Sequence, residues 1–348
     1  MSNNFFPLTA EELVNRINKI PKVKLAFLPT PLEYLPNISK DLEINLYVKR
    51  DDCTALAFGG NKTRHLEFIM AKAVSGDYDC ILTGAGSQSN WCRQTVAAAN
   101  KLNLETFLVL MHGIKGNKMQ GNFLLYNILG ANVDIVEGEN IEDIPGHLDK
   151  KYEDLIKQGR KPLLIKGGFD ADDTVLAGIS YANAMAEIDV QMRSNNFMAD
   201  HLILTATNMT QAGCDLGSKI LGWPTCIHGI SPVYFVEMDI KEDIARICNQ
   251  GAKMLDVNLE FTVDMINNDN DYVGEKYGVP TPEGLAAMRT MAKKEGIILD
   301  PVYTSKGFSA LIDYVKKGII KKNQNVIFIF TGGTPAVFAY SEEITSSF

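Results

Sequence analysis

The chain has 348 residues, of which 46% are hydrophobic and 22% are charged, and its formal net charge is −8. This length and composition are those of a globular protein with one large domain or two linked ones, and we favour two. The negative balance argues against a nucleic-acid or anionic-membrane partner, because either needs a clustered positive surface. A small-molecule ligand is therefore expected.

The cysteines and the amino-terminal segment indicate the cellular setting. Six cysteines are scattered without Cys-x-x-Cys or Cys/His metal spacing, in a chain too large to need disulfides. We interpret them as reduced thiols of a cytoplasmic protein. The segment 1–23 lacks a basic and then apolar signal region, and no apolar run approaches the ~20 residues needed to span a bilayer. A soluble, unprocessed protein without a membrane partner is expected.

Short apolar runs rich in β-branched residues alternate with helix-period segments along the chain. The predicted strands are 44–50, 79–84, 105–111, 132–137, 162–167, 201–206, 225–231 and 325–333. The predicted helices are 62–74, 89–102, 118–129, 141–158, 173–193, 210–221, 239–254, 281–295 and 305–320. This alternation predicts βαβ units, with mainly parallel sheets and helices on both faces.

Four glycine- or hydroxyl-rich turns follow predicted strands or precede predicted helices: FGGNKT, TGAGSQSN, TATNMTQAG and FTGGTP. In open α/β sheets, ligands bind beyond the carboxyl ends of the strands, where helix N-termini point N–H groups at anions. The turns are therefore the candidate ligand-binding segments.

Lys62 in FGGNKT has three possible roles: phosphate anchor, Schiff-base nucleophile or surface residue. A P-loop needs glycine directly before its lysine, and Asn61 stands there instead. The dinucleotide pattern G-x-G-x-x-G is also absent after any predicted strand. A Schiff-base lysine must be partly desolvated so that its amine is often neutral. The residues of this one turn leave the surface and Schiff-base roles open.

Several motifs resemble one enzyme family. KRDDCT followed by FGGNKTRHLE is similar to the pyridoxal-phosphate lysine segment of the D-cysteine desulfhydrase and 1-aminocyclopropane-1-carboxylate deaminase family. LPTPLEYLPNIS, GSQSNWCRQTVAAANKL, LDPVYTSKG and FTGGTPAVFAY resemble further segments of that family, in the same order, across about 21–340. The resemblance implies a fold-type-II α/β enzyme, related to the tryptophan synthase β-subunit, with two parallel-sheet domains.

The resemblance also implies how the chain is organised. A large domain would comprise 1–53 and 165–348, a small domain 54–164 would be inserted in it, and pyridoxal 5'-phosphate would lie between them. The large domain would supply the phosphate-binding turn and Thr331. The family also implies a homodimer that acts on a small amino acid.

The site residues near Lys62 follow from the same resemblance. Lys62 would bind the cofactor covalently and then serve as the base that removes the α-proton. Gln88, Ser89 and Asn90 would bind the substrate, with Ser89 as an active-site serine and Asn90 near the ring hydroxyl of the cofactor. Without the resemblance, the cluster is typical of a plain helix N-cap.

The turn TATNMTQAG fits a phosphate cup of backbone N–H groups and threonine hydroxyls. The contacts that we expect are Thr207, Asn208, Met209 and Thr210. Relatives have glycine in this turn, so Asn208 and Met209 leave its backbone geometry open.

The remaining residues concern the cofactor ring and the substrate. Thr331 matches a threonine that faces the pyridine nitrogen, where a neutral hydroxyl gives a weaker electron sink than a carboxylate. Tyr277 and Tyr303 match active-site tyrosines. Thr304 stands where the cyclopropane-deaminase branch has glutamate and the desulfhydrase branch has threonine, and the resemblance implies that it contacts the substrate. Trp91 stands where relatives more often have a polar residue, which could reshape the substrate pocket.

No metal is expected, because the histidines show no metal-ligand spacing and are interpreted as structural. They are His65, His112, His147, His201 and His228.

The motifs favour a pyridoxal-phosphate lyase that eliminates a β-leaving group from a small amino acid. D-cysteine would give pyruvate, ammonia and sulfide, and L-cysteate would give sulfite. The alternatives are 1-aminocyclopropane-1-carboxylate deaminase, a β-replacement or dehydratase enzyme on the same fold, a relative that binds without catalysis, and a P-loop phosphotransferase, which Asn61 disfavours.

Overall fold

The computed structural model describes residues 6–116, 118–138 and 140–347. The strands in these ranges are β1 (Leu32–Tyr34), β2 (Asn45–Arg50), β3 (Cys80–Gly86), β4 (Glu105–Met111), β5 (Asn132–Val136), β6 (Pro162–Leu164), β7 (His201–Thr205), β8 (Cys226–Ile230), β9 (Asn268–Asp269) and β10 (Asn325–Phe330). The helices are α1 (Ala10–Ile17), α2 (Pro36–Leu42), α3 (Asn61–Ile69), α4 (Ala71–Ser75), α5 (Asn90–Lys101), α6 (Gly121–Ile128), α7 (Ile144–Lys157), α8 (Ala171–Ser194), α9 (Met209–Ile220), α10 (Ile240–Met254), α11 (Pro282–Glu295), α12 (Thr304–Lys316) and α13 (Ser341–Thr345).

Each predicted strand and helix has a counterpart at its place in the chain. The sequence analysis missed the short strands β1 and β9 and the helices α1, α2 and α13. Of these, β1, β9, α2 and α13 have seven residues or fewer and are too short for hydrophobic periodicity to show. Helix α1 still has a local signal, because the side chain of Thr9 accepts from the N–H of Glu12 and the Glu12 side chain accepts from the N–H of Thr9, which forms a capping box.

The strands form two sheets. One has six strands in the order β1-β2-β10-β7-β8-β9, and the other has four in the order β5-β4-β3-β6. The pairs are parallel except β1 with β2, which confirms the predicted α/β class. In parallel sheets the turns after the strands meet at one edge, so the structure gathers the candidate turns there.

The two sheets come from different parts of the chain. The six-stranded sheet uses strands within 32–50 and 201–330, and the four-stranded sheet uses strands within 80–164. One apolar core contains side chains from both, for example Leu108 of β4 and Leu204 of β7. The domain boundaries at 53/54 and 164/165 therefore stay a prediction, since the core continues from one sheet to the other.

Helices cover both faces of the six-stranded sheet. Helices α8, α9 and α10 pack on the face that continues to the small sheet, and α11 and α12 pack on the opposite face, with Phe308 against Phe328. Among the described helices, none combines the length and the apolar character that crossing a bilayer requires.

Candidate active site

A cavity of about 160 Å³ lies where the carboxyl ends of β3, β7 and β10 face each other. It brings together eleven residues that the sequence analysis singled out: Lys62, Ser89, Asn90, Trp91, Thr207, Asn208, Met209, Thr210, Tyr277, Tyr303 and Thr331. Gln88 lines an adjoining cavity of about 260 Å³, which shares Ser89, Tyr277 and Tyr303 with the first. Thr304 is not among the described residues that line either cavity.

Two glycines shape the turn before Lys62. Gly59 and Gly60 have φ of 65° and 127°, a backbone region that side chains disfavour. A Cβ on Gly60 would lie 3.1 Å from the carbonyl oxygen of Thr331. The N–H of Asn61 donates to that same carbonyl at 2.9 Å. The glycines thus let this turn pack against the end of β10, which brings Lys62 and Thr331 to one cavity.

Lys62 is the second residue of α3 and is half-buried. Burial lowers the pKa of its amine to about 8, because a desolvated ammonium is disfavoured. No salt bridge joins it to a carboxylate within the described residues. Roughly a tenth of such an amine is neutral at pH 7, against less than about a thousandth for an ordinary lysine. This is the environment that a nucleophilic lysine needs.

His65 connects α3 to α8 and α9 behind Lys62. Its Nδ1 lies 3.0 Å from Ser180 Oγ, and its Nε2 lies 3.0 Å from Thr210 Oγ1. Since Ser180 Oγ donates its own hydrogen to the carbonyl of Ala177, Nδ1 carries the proton and the Thr210 hydroxyl donates to Nε2. Burial, with the charge of Lys62, lowers the pKa of His65 well below its usual range. The Thr210 hydroxyl is therefore bonded within the protein, since it also accepts from Asn61 Nδ2 at 3.1 Å.

The structure shows the backbone geometry of the turn before α9, which the sequence did not determine at Asn208 and Met209. Asn208 has φ of −128°, and Met209 is not among the residues with positive φ. The Asn208 side chain accepts from the N–H of Met209 at 2.8 Å and donates to Asp243 at 2.8 Å. The N–H groups of Thr210 and Gln211 have no acceptor in the described part of the chain. The turn thus needs no glycine and offers an anion site at a helix N-terminus.

Gln88 and Ser89 of the SQSN segment both have structural bonds. Ser89 caps α5, where its Oγ accepts from the N–H of Cys92 at 3.2 Å. The Gln88 side chain accepts from the N–H of Asn122 at 2.9 Å and donates to the carbonyl of Gln120 at 3.1 Å. Gln88 therefore fixes the start of α6, while Ser89 combines its capping role with a place in the cavity wall.

Asn90 and Trp91 differ in what they offer a ligand. Asn90 Oδ1 accepts from Arg93 Nη1 at 2.7 Å and from Asn122 Nδ2 at 2.9 Å. The amide NH2 of Asn90 has no acceptor among the described residues, so it can donate into the cavity. The Trp91 indole donates to Thr83 Oγ1 at 2.9 Å and forms an apolar wall.

Arg93, which the sequence analysis missed, lies behind the site and is not among the described residues that line either cavity. It is fully buried, and burial lowers the pKa of its guanidinium to about 10. Its Nη2 donates to the carbonyl of Gly59 at 2.7 Å, and no carboxylate pairs with it in the described ranges. Its position one helical turn after Asn90 was the available signal. A buried cation here favours anionic groups of a ligand.

Tyr277 and Tyr303 line both cavities and are hydrogen-bonded through their hydroxyls. Their rings meet edge to face, with centroids 6.0 Å apart. Burial raises the pKa of Tyr277 and raises that of Tyr303 well above its usual range. Both hydroxyls therefore stay protonated and can serve as donors.

Thr331 and Thr304 occupy different places. Thr331 lines the cavity directly after β10. Thr304 is fully buried, and its Oγ1 donates to Asp300 Oδ2 at 2.8 Å and accepts from the N–H of Asp300 at 2.8 Å. Asp300, which the sequence analysis missed, also accepts from the N–H groups of Val302, Tyr303 and Thr304. Thr304 thus supports the start of α12, and its predicted contact with substrate stays a prediction.

The groups that this cavity leaves without protein partners match pyridoxal phosphate. The Lys62 amine suits its aldehyde, the N–H group of Thr210 suits its phosphate, and the Asn90 amide suits its ring hydroxyl. Thr331 can face its ring nitrogen. The fold and the site together fit an enzyme that uses pyridoxal phosphate, and the attachment of the cofactor to Lys62 stays a prediction.

Comparison with known proteins agrees with this class. Residues 23–332 match the family described as pyridoxal-phosphate dependent enzyme. The chain belongs to this family, and its cofactor is pyridoxal phosphate. The predicted fold type II and the predicted cofactor are both confirmed.

The similar proteins carry the names of two different enzymes. The chain is 34% identical to a 1-aminocyclopropane-1-carboxylate deaminase from Ralstonia nicotianae, over 93% of this chain and 98% of that protein. It is 33% identical to a D-cysteine desulfhydrase from Klebsiella pneumoniae, over 94% of this chain and 98% of that protein. The crystal structure of an ACC deaminase homologue matches with a TM-score of 0.88 at 32% identity, covering 97% of this chain and 99% of that one. These similarities fix the family and leave the substrate open.

Proposed function

We propose that the protein catalyses β-elimination from a small amino acid. D-cysteine, with water, would give pyruvate, ammonia and hydrogen sulfide. L-cysteate is the second candidate and would release sulfite. The bound cofactor supplies an electron sink for the pair that the α-carbon retains when its proton leaves.

One observation carries the choice of elimination. None of the described residues that line the 160 Å³ cavity is an aspartate or a glutamate. Asp300 is held by three backbone N–H groups and the Thr304 hydroxyl, away from the cavity lining. Without a carboxylate beside its ring nitrogen, the cofactor would be a weaker electron sink. A weaker electron sink suits a substrate whose leaving group departs early. Opening of a cyclopropane ring needs the stronger sink.

Lys62 is proposed as the base for the α-proton. Its lowered pKa, to about 8, keeps a useful fraction of the amine neutral near physiological pH. With pyridoxal phosphate bound, Lys62 would hold the cofactor until the substrate binds, and its freed amine would then accept the proton from the α-carbon. A single side chain would therefore perform both steps.

The start of α5 is proposed to bind the substrate carboxylate. Ser89 and Asn90 lie at this helix N-terminus, and the Arg93 cation lies one turn further on. N-terminal N–H groups and a buried cation both favour an anion. Gln88 would act on the substrate through the backbone that it fixes, and Trp91 would limit the size of the side chain admitted.

Tyr277 and Tyr303 are proposed to protonate the leaving group. Their hydroxyls are bonded to each other and stay protonated because burial raises the pKa of both. When the bond from the β-carbon to sulfur breaks, the electron pair leaves on sulfur, and a tyrosine hydroxyl can donate to it.

A product assay tests this proposal. Purified holoenzyme would be incubated with both enantiomers of cysteine, serine and cysteate, and with 1-aminocyclopropane-1-carboxylate. Pyruvate from D-cysteine or L-cysteate is expected, and Lys62→Ala serves as the inactive control. Release of 2-oxobutyrate from the cyclopropane amino acid, with no pyruvate from the others, would identify a deaminase instead. A β-substituted amino acid formed when a second thiol is added would identify a replacement enzyme.

The setting of the enzyme is also proposed from the resemblance. We expect a cytoplasmic homodimer in which the cofactor lies between a small domain (54–164) and a large domain formed by both ends of the chain. Light scattering of the purified protein measures the oligomeric state, and a mass of one chain would contradict the homodimer.

A further inference from the structure

Three potential metal ligands meet at the amino-terminal edge of the six-stranded sheet. His201 is the first residue of β7, and Cys226 and His228 are the first and third residues of β8. His201 pairs with Cys226 in the parallel register. Because alternate residues of a strand share a face, Cys226 and His228 lie on one face. The active-site cavity lies at the opposite, carboxyl edge of these strands.

The candidate ligand atoms of the three residues all lie within 4.8 Å of one another. The two imidazoles are in direct contact, with His201 Nδ1 3.0 Å from His228 Nε2. Tetrahedral zinc, with bonds of about 2.0–2.3 Å to nitrogen and sulfur, places its ligand atoms about 3.3–3.8 Å apart. Shifts of about 1 Å or less in these side chains would therefore complete the geometry.

The outer bonds of the imidazoles suit metal binding. His201 Nε2 lies 3.1 Å from Gln324 Oε1, so Nε2 carries the hydrogen and Nδ1 keeps its lone pair for a metal. His228 Nδ1 lies 2.7 Å from the side-chain amide of Asn267. Rotation of that amide by half a turn would let its oxygen accept from Nδ1, which frees Nε2 of His228 as a ligand.

We propose that His201, Cys226 and His228 form a zinc site, in which His201 Nδ1, His228 Nε2 and the Cys226 thiolate bind one Zn²⁺ and water completes the tetrahedron. Binding exchanges the thiol proton of Cys226 for the metal, and the zinc ion is neither oxidised nor reduced. Among the divalent cations of cells, zinc is the one that prefers imidazole and thiolate ligands together.

The solvent exposure and the charge of the cluster favour binding of a cation from solution. The imidazoles of His201 and His228 are buried, while Cys226 is exposed and opens the cluster to solvent. The acidic group whose negative charge reaches the cluster near neutral pH is Asp269 of β9, which acts on His228. This charge favours a cation over an anion.

Zinc at this place would crosslink β7 to β8. Ligands from both strands would stay together only in the folded sheet, so metal binding should stabilise the native state. The spacing of these residues in the sequence did not indicate the site, because strand pairing brings His201 to two residues that are far from it in the chain.

Titration of the metal-free holoenzyme with Co²⁺ and Zn²⁺ tests the site. The wild-type protein is expected to bind one metal per chain, with a thiolate-to-cobalt charge-transfer band and the intense visible bands of tetrahedral cobalt. Zn²⁺ should displace the cobalt and raise Tm. Cys226→Ser should remove the charge-transfer band and weaken zinc binding by at least about 100-fold, since a direct ligand matters more than the outer partners of ligands.

Cys53→Ser is the matched control, because Cys53 is also exposed and lies in another part of the fold, between β2 and α3. It should bind metal like the wild type. His201→Asn is a second ligand variant, and its far-ultraviolet circular dichroism shows whether it is folded. The proposal is overturned if the wild type binds no Co²⁺ or Zn²⁺, if Cys226→Ser keeps the charge-transfer band, or if Cys53→Ser loses it. Because the readout is metal binding, the result is independent of the proposed elimination reaction.

Discussion

At the scale of single residues, the amine of Lys62 should determine how fast the apoenzyme takes up its cofactor. Only the neutral amine attacks the aldehyde, and burial lowers the pKa of Lys62 to about 8. The uptake rate is therefore expected to rise about tenfold between pH 7 and pH 9 and to level off above about pH 9. Stopped-flow absorbance of apoenzyme mixed with pyridoxal phosphate measures it.

Free N-α-acetyl-lysine mixed with the same cofactor is the control for this pH profile, because any effect of ionisation of the cofactor itself also appears in this reaction. Its rate should continue to rise beyond pH 9, as expected for an ordinary lysine. A protein profile that follows the free lysine through pH 10 would show that burial does not activate Lys62.

Thr304 gives a second test at this scale. Its hydroxyl both donates to Asp300 and accepts from it. Thr304→Val should leave a buried carboxylate short of a donor, at a cost of about 1–3 kcal/mol in the free energy of unfolding. Thr304→Ser, which keeps the hydroxyl, should stay close to the wild type in thermal unfolding. An unchanged Tm with an altered preference between cysteine and the cyclopropane amino acid would instead indicate that Thr304 acts on the substrate.

The motif indicated that the residue type at Thr304 distinguishes the two branches of the family. It could not predict the direction in which the Thr304 hydroxyl points. That direction depends on Asp300, whose carboxylate accepts hydrogen bonds from N–H groups at the start of α12. Arg93 was missed for a related reason: only the packed structure shows a buried guanidinium without a carboxylate partner. Motifs identify residue types at a site, while orientation and burial come from packing across the chain.

At the scale of secondary-structure elements, the N-terminus of α9 should bind the cofactor phosphate. Asn208→Ala removes the bonds to Met209 and Asp243 that hold this turn. We expect the Kd of pyridoxal phosphate to rise about tenfold, which is about 1.4 kcal/mol. The Kd of pyridoxal, which has no phosphate, should change little. Equal weakening of both ligands would place the effect outside the phosphate turn.

Asn37→Ala is the matched control for this prediction. Asn37 donates to the carbonyl of Lys294 at 2.9 Å on the surface, outside the residues that line the cavity. The variant should keep the wild-type Kd for both pyridoxal phosphate and pyridoxal.

Helix α9 also carries a buried acid that should make stability depend on pH. Burial raises the pKa of Asp215 to about 8, and its Oδ2 has no hydrogen-bond partner. Because the folded-state pKa is raised, the stabilisation is fully present below about pH 4 and is lost as the pH rises to 8. Asp215→Asn should therefore be more stable than the wild type at pH 8, by at least about 2 °C in Tm, and similar to it near pH 4.

Thermal unfolding at both pH values, with a chelator present to exclude metal effects, measures this difference. A wild-type Tm that stays parallel to that of Asp215→Asn from pH 4 to pH 8 would contradict a raised pKa.

The order of strands and helices could largely be predicted from the sequence, because short β-branched apolar runs alternate with longer helical segments. Strand β9 could not, since a parallel partner, β8, fixes its two residues. Helix α13 has five residues and no long periodic pattern. Such short elements depend on contacts that are distant in the chain.

At the scale of the whole molecule, two parallel sheets face each other across the cavity, and segments from both contribute to one site. Ser89 and Asn90 follow β3 of the small sheet, while Thr207 and Thr331 follow β7 and β10 of the large one. The sequence analysis anticipated this arrangement through the order of its motifs. The His201, Cys226 and His228 cluster was not anticipated, because only the strand register brings it together.

The most direct test of the account is to locate the covalent attachment of the cofactor. Lys62 and Lys166 both line the cavity, but Lys166 is paired with Asp149 at 2.7 Å, whereas Lys62 has a lowered pKa. Borohydride reduction of the holoenzyme, followed by peptide mass spectrometry, should place the label on Lys62 alone. Lys62→Ala should lose both the label and the visible absorbance band. Label on Lys166 or another lysine, with Lys62 unmodified, would contradict the proposed site and its mechanism.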